Sequence, residues 1–170
     1  MKKTKHLVVT ALLIALGVII PAISVPIIPD PAVSATLAAH VPVIVAMFIN
    51  PGVAAATAIG TTLGFVLKGY PFIVALRAFV HLIFAIVGSF MLRGTKGKPV
   101  RDIWLTVFLT YLVTMILHTI AELTAIYLVT PDAVHMMVGA GIFVLHHTID
   151  FAISVVIVGA LKSVKGIDVF

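Results

Sequence analysis

The sequence predicts an all-α integral membrane protein, a six-transmembrane-helix bundle with both termini cytoplasmic, formed by residues 1–170 as a single domain. Composition is the first reason. Of 170 residues, 62% are hydrophobic and 10% charged, with a mean hydropathy of +1.27, whereas a soluble domain is about 45–50% apolar and about 25% charged. A soluble fold of this size has no interior large enough for that apolar surface, so its solvent is lipid. The second reason is that the apolar residues fall in six continuous runs. Lipid-spanning barrels show short alternating strands instead, which leaves helices. The third is the distribution of Lys and Arg along the chain.

The spans are expected at Leu7–Ser24, Ala35–Ile49, Gly52–Leu67, Pro71–Leu92, Ile103–Val129 and Met136–Leu161. Turn residues separate them: Asn50-Pro51-Gly52, Lys68-Gly69-Tyr70-Pro71, the stretch from Gly94 to Pro99, and Thr130-Pro131-Asp132. At ~20 residues per crossing, six or seven spans exhaust the chain, and no separate soluble catalytic domain fits. The second and third spans are short, which predicts tilt or local thinning. The first, preceded by Lys2, Lys3 and Lys5, is read as a retained helix: its apolar run exceeds a signal core and no clear small-residue cleavage site follows.

With six alternating spans, Lys2, Lys3, Lys5, Arg93, Lys96, Lys98, Arg101, Lys162 and Lys165 fall on one side, and Lys68 alone on the other. The positive side is cytoplasmic, which places both termini inside and gives a multi-pass cell-membrane protein. The net charge of +5 is therefore a topology signal and not a nucleic-acid footprint. No cysteine is present, which excludes disulfides, thiolate metal sites and cysteine nucleophiles. The outer stretch Pro21 to Pro31 holds four prolines and no basic residue. It cannot be regular helix, and its apolar character predicts a lid folded onto the bundle, against the alternative of a plain connector.

Ionisable residues within spans are costly and usually functional. Here they are His40, Arg77, His81, His118, Glu122, His146, His147 and Asp150. Arg77 and His81, His118 and Glu122, and His146 and Asp150 are each four apart, so each pair shares a helix face. Counted from the outer ends at ~1.5 Å per residue, all lie between the outer surface and the midplane. The inner half is almost uncharged. This is the pattern of a ligand pocket open to the outside with an apolar floor, rather than of a conduction path. His147 points about 100° away from His146, so at most one of them faces the pocket centre.

Two ligand classes suit this set. Arg77 can hold a carboxylate, histidines can meet a heteroaromatic nitrogen, and Tyr70, Tyr127 and Phe143 can wall the mouth, which describes a small aromatic acid. Alternatively His81, His118, Glu122, His146 and Asp150 form a divalent-metal set, serving a metal-binding transporter subunit or an intramembrane metalloenzyme. Arg77 disfavours a cation unless Glu122 neutralises it, and Arg77–Glu122 can also be a purely structural ion pair. A proton-coupled secondary carrier fits less well, given the small size and the uncharged inner half. Ala11 and Ala15 form a small-xxx-small face, and Gly60 and Gly64 another. Such faces serve internal packing or, if they point outward, docking of another membrane subunit.

Together the basic N-terminus, the Ala11-xxx-Ala15 element, the proline-bearing outer loop and the polar residues of spans four to six resemble the substrate-binding S components of energy-coupling factor (ECF) vitamin transporters. Leu37 to Pro42, Ala46 to Pro51 and Leu76 to His81 are most similar to the niacin-type members. The resemblance extends over essentially the whole chain. It implies a high-affinity vitamin-binding subunit that is not an enzyme and needs no cofactor. Its partners would be a transmembrane coupling subunit, docked through Ala11 and Ala15, and two cytoplasmic ATPases. No Gly-x-x-x-x-Gly-Lys-Ser/Thr run occurs in the chain itself. The resemblance further implies that Arg77 holds the niacin carboxylate and that a pocket histidine meets the pyridine nitrogen.

Overall fold

A computed structural model describes residues 2–164; Lys165, counted above with the inner basic residues, lies outside the described residues. The helices are α1 (Lys2–Ile23), α2 (Val41–Met47), α3 (Pro51–Leu67), α4 (Phe72–Met91), α5 (Trp104–Val129) and α6 (Ala133–Ser163), with short 3-10 turns at Arg93–Thr95 and Val100–Asp102. Four of them, α1, α4, α5 and α6, are long and apolar enough to cross a bilayer, and α3 is a shorter apolar helix.

Local chemistry sets the ends. Asn50 caps α3 by accepting from the Val53 amide at 3.0 Å, and Pro51 follows at the first helical position, where its missing N–H costs nothing. Asp132 caps α6 by accepting from the amides of Val134 and His135. Pro21 lies inside the last turn of α1, one turn deeper than the proline-rich stretch predicts, and the helix stops at Ile23.

The second span corrects the expectation. Instead of a helix over Ala35–Ile49, only the seven residues Val41–Met47 are helical, and every one is buried. Seven residues rise roughly 10 Å, a third of the hydrocarbon core. The preceding residues cannot extend that helix: Ala38 has φ of 65°, and the amides of Ala38 and His40 both point at the Asp150 carboxylate, at 2.8 and 2.9 Å. The chain still returns to the end where it began. Asn50 Nδ2 lies 3.5 Å from His6 Nδ1, and Lys162 Nζ donates to the Lys98 carbonyl at 3.1 Å. Alternation of direction is thus preserved, with the first half of the crossing made by an irregular, turn-rich segment.

α3 packs between α1 and α4, α4 against α5, α5 against α6, and α2 fills the centre in contact with α1, α3, α4 and α6. Ile44, Met47, Ile49, Phe84 and Val158 are essentially inaccessible there. Gly88 of α4 makes this possible: a Cβ at that position would stand 2.7 Å from Met47 Cε and 2.8 Å from Thr114 Cγ2. Gly60 and Gly64 of α3 face Ile14 and Val18 of α1, so that small-residue pair is internal packing. Ala11 and Ala15 are exposed on α1, at the edge of the face that meets α3. Leu12, Leu16 and Ile19 are exposed beside them.

Candidate functional site

The three polar stripes meet, and His40, delivered by the irregular crossing, joins them. Arg77 Nε donates to Glu122 Oε2 at 2.5 Å. Glu122 Oε1 lies 2.7 Å from His81 Nε2 and 3.6 Å from His118 Nε2. His81 Nε2 lies 3.2 Å from His40 Nε2. Glu122 and His118 are each 1% exposed, so this cluster lies within the protein and not at its surface.

A second group fixes the loop. Asp150 is fully buried and receives the Ala38 and His40 amides, and its Oδ2 lies 3.0 Å from His146 Nε2 and 3.3 Å from His40 Nδ1. His146 Nε2 donates to the Thr36 carbonyl at 2.7 Å. His147 points elsewhere, to Thr114 Oγ1 at 3.1 Å. Of the adjacent pair, His146 alone lines the cavity.

That cavity, of about 260 Å³, opens at the end of the bundle where α1 finishes and α4 starts. Its wall includes Pro26, Tyr70, Arg77, His81, Glu122 and His146. Sites for drug-sized molecules occupy ~300–1,000 Å³, so this one suits a single small ring with a polar substituent. The outer loop forms its roof. Arg77 donates to the Pro31 carbonyl at 3.2 Å, to Ser34 Oγ at 3.3 Å and to the Ser34 carbonyl at 2.8 Å. Ala32, Val33 and Ala35 are buried beneath that roof. His135, at the start of α6, straps the loop from outside, 3.0 Å from both Asp30 Oδ2 and Asp132 Oδ1. The Ala32 amide, with His135, holds the Asp30 carboxyl below its ordinary range. The His135 amide does the same at Asp132.

Several sequence expectations are redistributed. Tyr70 lines the cavity, but Tyr127 is 62% exposed on the outside of α5 and takes no part in the wall. Phe143 is buried behind Arg77, whose guanidinium sits 4.8 Å from its ring centre. The supposed five-residue metal set separates into two groups that share His40, one with His81, His118 and Glu122 and one with His146 and Asp150. Arg77 does make the ion pair with Glu122 that the sequence allowed as an alternative. Missed altogether were the carbonyls of Pro31, Ser34 and Thr36. A backbone acceptor carries no residue signature, and only the loop's fold brings these three inward.

Fold and site together define a multi-pass cell-membrane protein with a buried polar cavity opening at one end of its helix bundle. The chain is 46% identical over 92 residues to the niacin transporter NiaX of Lactococcus lactis subsp. cremoris, a match covering 54% of this chain and 41% of the relative. No family model and no solved structure matches the chain.

Proposed function

We propose that this chain is the substrate-binding subunit of an ECF-type vitamin importer and that it captures niacin from the outer face. The observation that carries the proposal is the cavity of about 260 Å³ with Arg77 in its wall, in a chain similar to a niacin transporter. The end bearing Arg93, Lys96, Lys98, Arg101 and Lys162 is cytoplasmic by the positive-inside rule, so the cavity opens outward. The whole chain acts as one binding unit.

The mechanism follows from what Arg77 now holds. Its Nε keeps Glu122, while its terminal nitrogens hold loop oxygens at Pro31 and Ser34. A ligand carboxylate offers the same nitrogens two charged acceptors in fork geometry, which bind about twice as strongly as neutral ones. Exchange of loop oxygens for carboxylate oxygens couples ligand entry to loop movement. His40, His81 and His146 reach the cavity from its floor and side and supply partners for the ring nitrogen. Ala11 and Ala15 offer an outward small-residue face on α1 for the coupling subunit, with ATP hydrolysis supplied by two partner ATPases.

Equilibrium binding of radiolabelled nicotinate to the purified chain in detergent tests this reading. One saturable site per chain is expected, competed by nicotinamide more weakly and by folate or riboflavin not at all. Absence of saturable binding would reject niacin capture.

A further inference from the structure

We propose that His40, His81, His118 and Glu122 form a divalent-cation site beneath the ligand cavity, of the tetrahedral nitrogen and oxygen type that takes zinc or cobalt. Each contributes one ligand atom, and these atoms all lie within 4.8 Å of one another. Tetrahedral zinc with bonds of 2.0–2.2 Å places its ligand atoms about 3.3 Å apart. The separations here bracket that value: 3.2 Å for His40 Nε2 to His81 Nε2, 2.7 Å for His81 Nε2 to Glu122 Oε1, and 3.6 Å for His118 Nε2 to Glu122 Oε1.

The second, independent observation is unmet hydrogen bonding. Both ring nitrogens of His118 are buried without a hydrogen-bond partner, in a residue 1% exposed. His81 Nε2 carries at most one proton, yet it faces both His40 and Glu122. No tautomer assignment satisfies this cluster, whereas a cation at its centre accepts a lone pair from Glu122 and from one ring nitrogen of each histidine, which engages one of the two unpartnered His118 nitrogens. Buried polar groups are otherwise almost always paired.

The surroundings are arranged as a metal site requires. Asp150 Oδ2 stands 3.3 Å behind His40 Nδ1, the carboxylate–histidine pairing that orients metal-bound imidazoles. Arg77 holds the other Glu122 oxygen, which leaves Oε1 aimed at the histidines. The neighbouring group of His40, His146 and Asp150 is not a competing site. Its Asp150 oxygens already take two backbone amides, and His146 is engaged with Thr36.

Formal charge links this site to the cavity, a step that does rest on the proposed function. With neutral histidines, Arg77, Glu122 and Asp150 sum to −1, which disfavours a third carboxylate. A divalent cation changes the sum to +1, and one monoanionic acid then neutralises it. His40, His81 and Glu122 also line the cavity, so a fifth coordination position faces the ligand; zinc sites expand to five in this way.

The test uses the full chain in detergent, stripped by chelator and titrated with Co²⁺ alone. One cobalt per chain with intense tetrahedral d–d bands, bleached by Zn²⁺, is expected. His118→Gln and Glu122→Gln should each weaken affinity by at least the ~10–100-fold that loss of a mere supporting residue brings, while His147→Gln, outside the donor set, binds as wild type does. No bound cobalt, weak octahedral bands, or unchanged affinity in both donor variants overturns the site. Should either variant fail to fold, the wild-type stoichiometry and spectrum decide. Nicotinate binding, read separately on the same preparations, keeps the two readings apart: cobalt without nicotinate rejects niacin capture alone, and nicotinate without cobalt rejects the metal site alone.

Discussion

Replacing Arg77 with Met tests what the buried ion pair contributes, together with the loop contacts of the same guanidinium. The variant keeps most of the side-chain volume but removes the partner of Glu122 Oε2 and three contacts to the loop oxygens of Pro31 and Ser34. Glu122 is 1% exposed, so no solvent replaces the lost guanidinium. Breaking a buried pair from one side costs about 3–5 kcal/mol, because the surviving charge stays desolvated. Against a typical total stability of roughly 5–15 kcal/mol this is a large fraction. For a chain of 170 residues it corresponds to a fall in Tm of about 6–20 °C, at about 2–4 °C per kcal/mol. The double variant Arg77→Met with Glu122→Gln removes both charges and should recover most of that loss, since a pair deleted whole is often nearly neutral. Thermal unfolding in detergent, followed by circular dichroism, reads both. A single-variant penalty below ~1 kcal/mol, less than a pair breakage allows, or a double variant less stable than the single, would refute the reasoning.

Two other outcomes are expected. Ala11→Trp or Ala15→Trp should abolish cellular vitamin uptake while leaving ligand affinity intact, because both residues are exposed on α1 and remote from the cavity; uptake assays beside binding on purified protein check this, and lost affinity would count against docking. At the roof, the Asp30 carboxyl is held below its ordinary value of 3.8. The carboxylate that anchors the loop is therefore present above that pH and lost as pH falls through the depressed value, while Asp30 in turn raises the pKa of its partner His135. A spin label at Val25, which is 87% exposed, should gain mobility only in strong acid in the wild type, but already at pH 7 in Asp30→Asn. Equal mobility of the two proteins at pH 7 would remove Asp30 from the anchoring role.

Much of this architecture was legible in the residues. α4 and α5 follow the apolar runs within one residue at each end, because tyrosine, proline, glycine and lysine turns bound them sharply. The four-residue spacings of Arg77 with His81, His118 with Glu122, and His146 with Asp150 were enough to place three polar stripes on one interior. What could not be read was the crossing before α3. Ala35–Ile49 is as apolar as a helix, yet the amides of Ala38 and His40 are satisfied by Asp150, more than a hundred residues later. Periodicity reports what a segment can do alone, and a tertiary carboxylate overrides it. Tyr127 failed for a similar reason: its depth suited the cavity mouth, but its azimuth on α5 turns it outward, where it is 62% exposed. The Arg77 contacts to the loop were invisible because two of the three acceptors are carbonyls.

The dependence of the second crossing on Asp150 also constrains how the protein is made. Residues Ser24–Asn50 contain only a seven-residue helix, too little hydrogen-bonded backbone to enter lipid unaided. The carboxylate that satisfies the first part of this segment belongs to α6, more than a hundred residues further along the chain, and leaves the ribosome well after it. During synthesis this segment therefore waits, α2 unseated, until α6 inserts and completes it. Seating of the second crossing is thus a late step, and a ribosome stalled before Asp150 leaves a chain that cannot bury this segment.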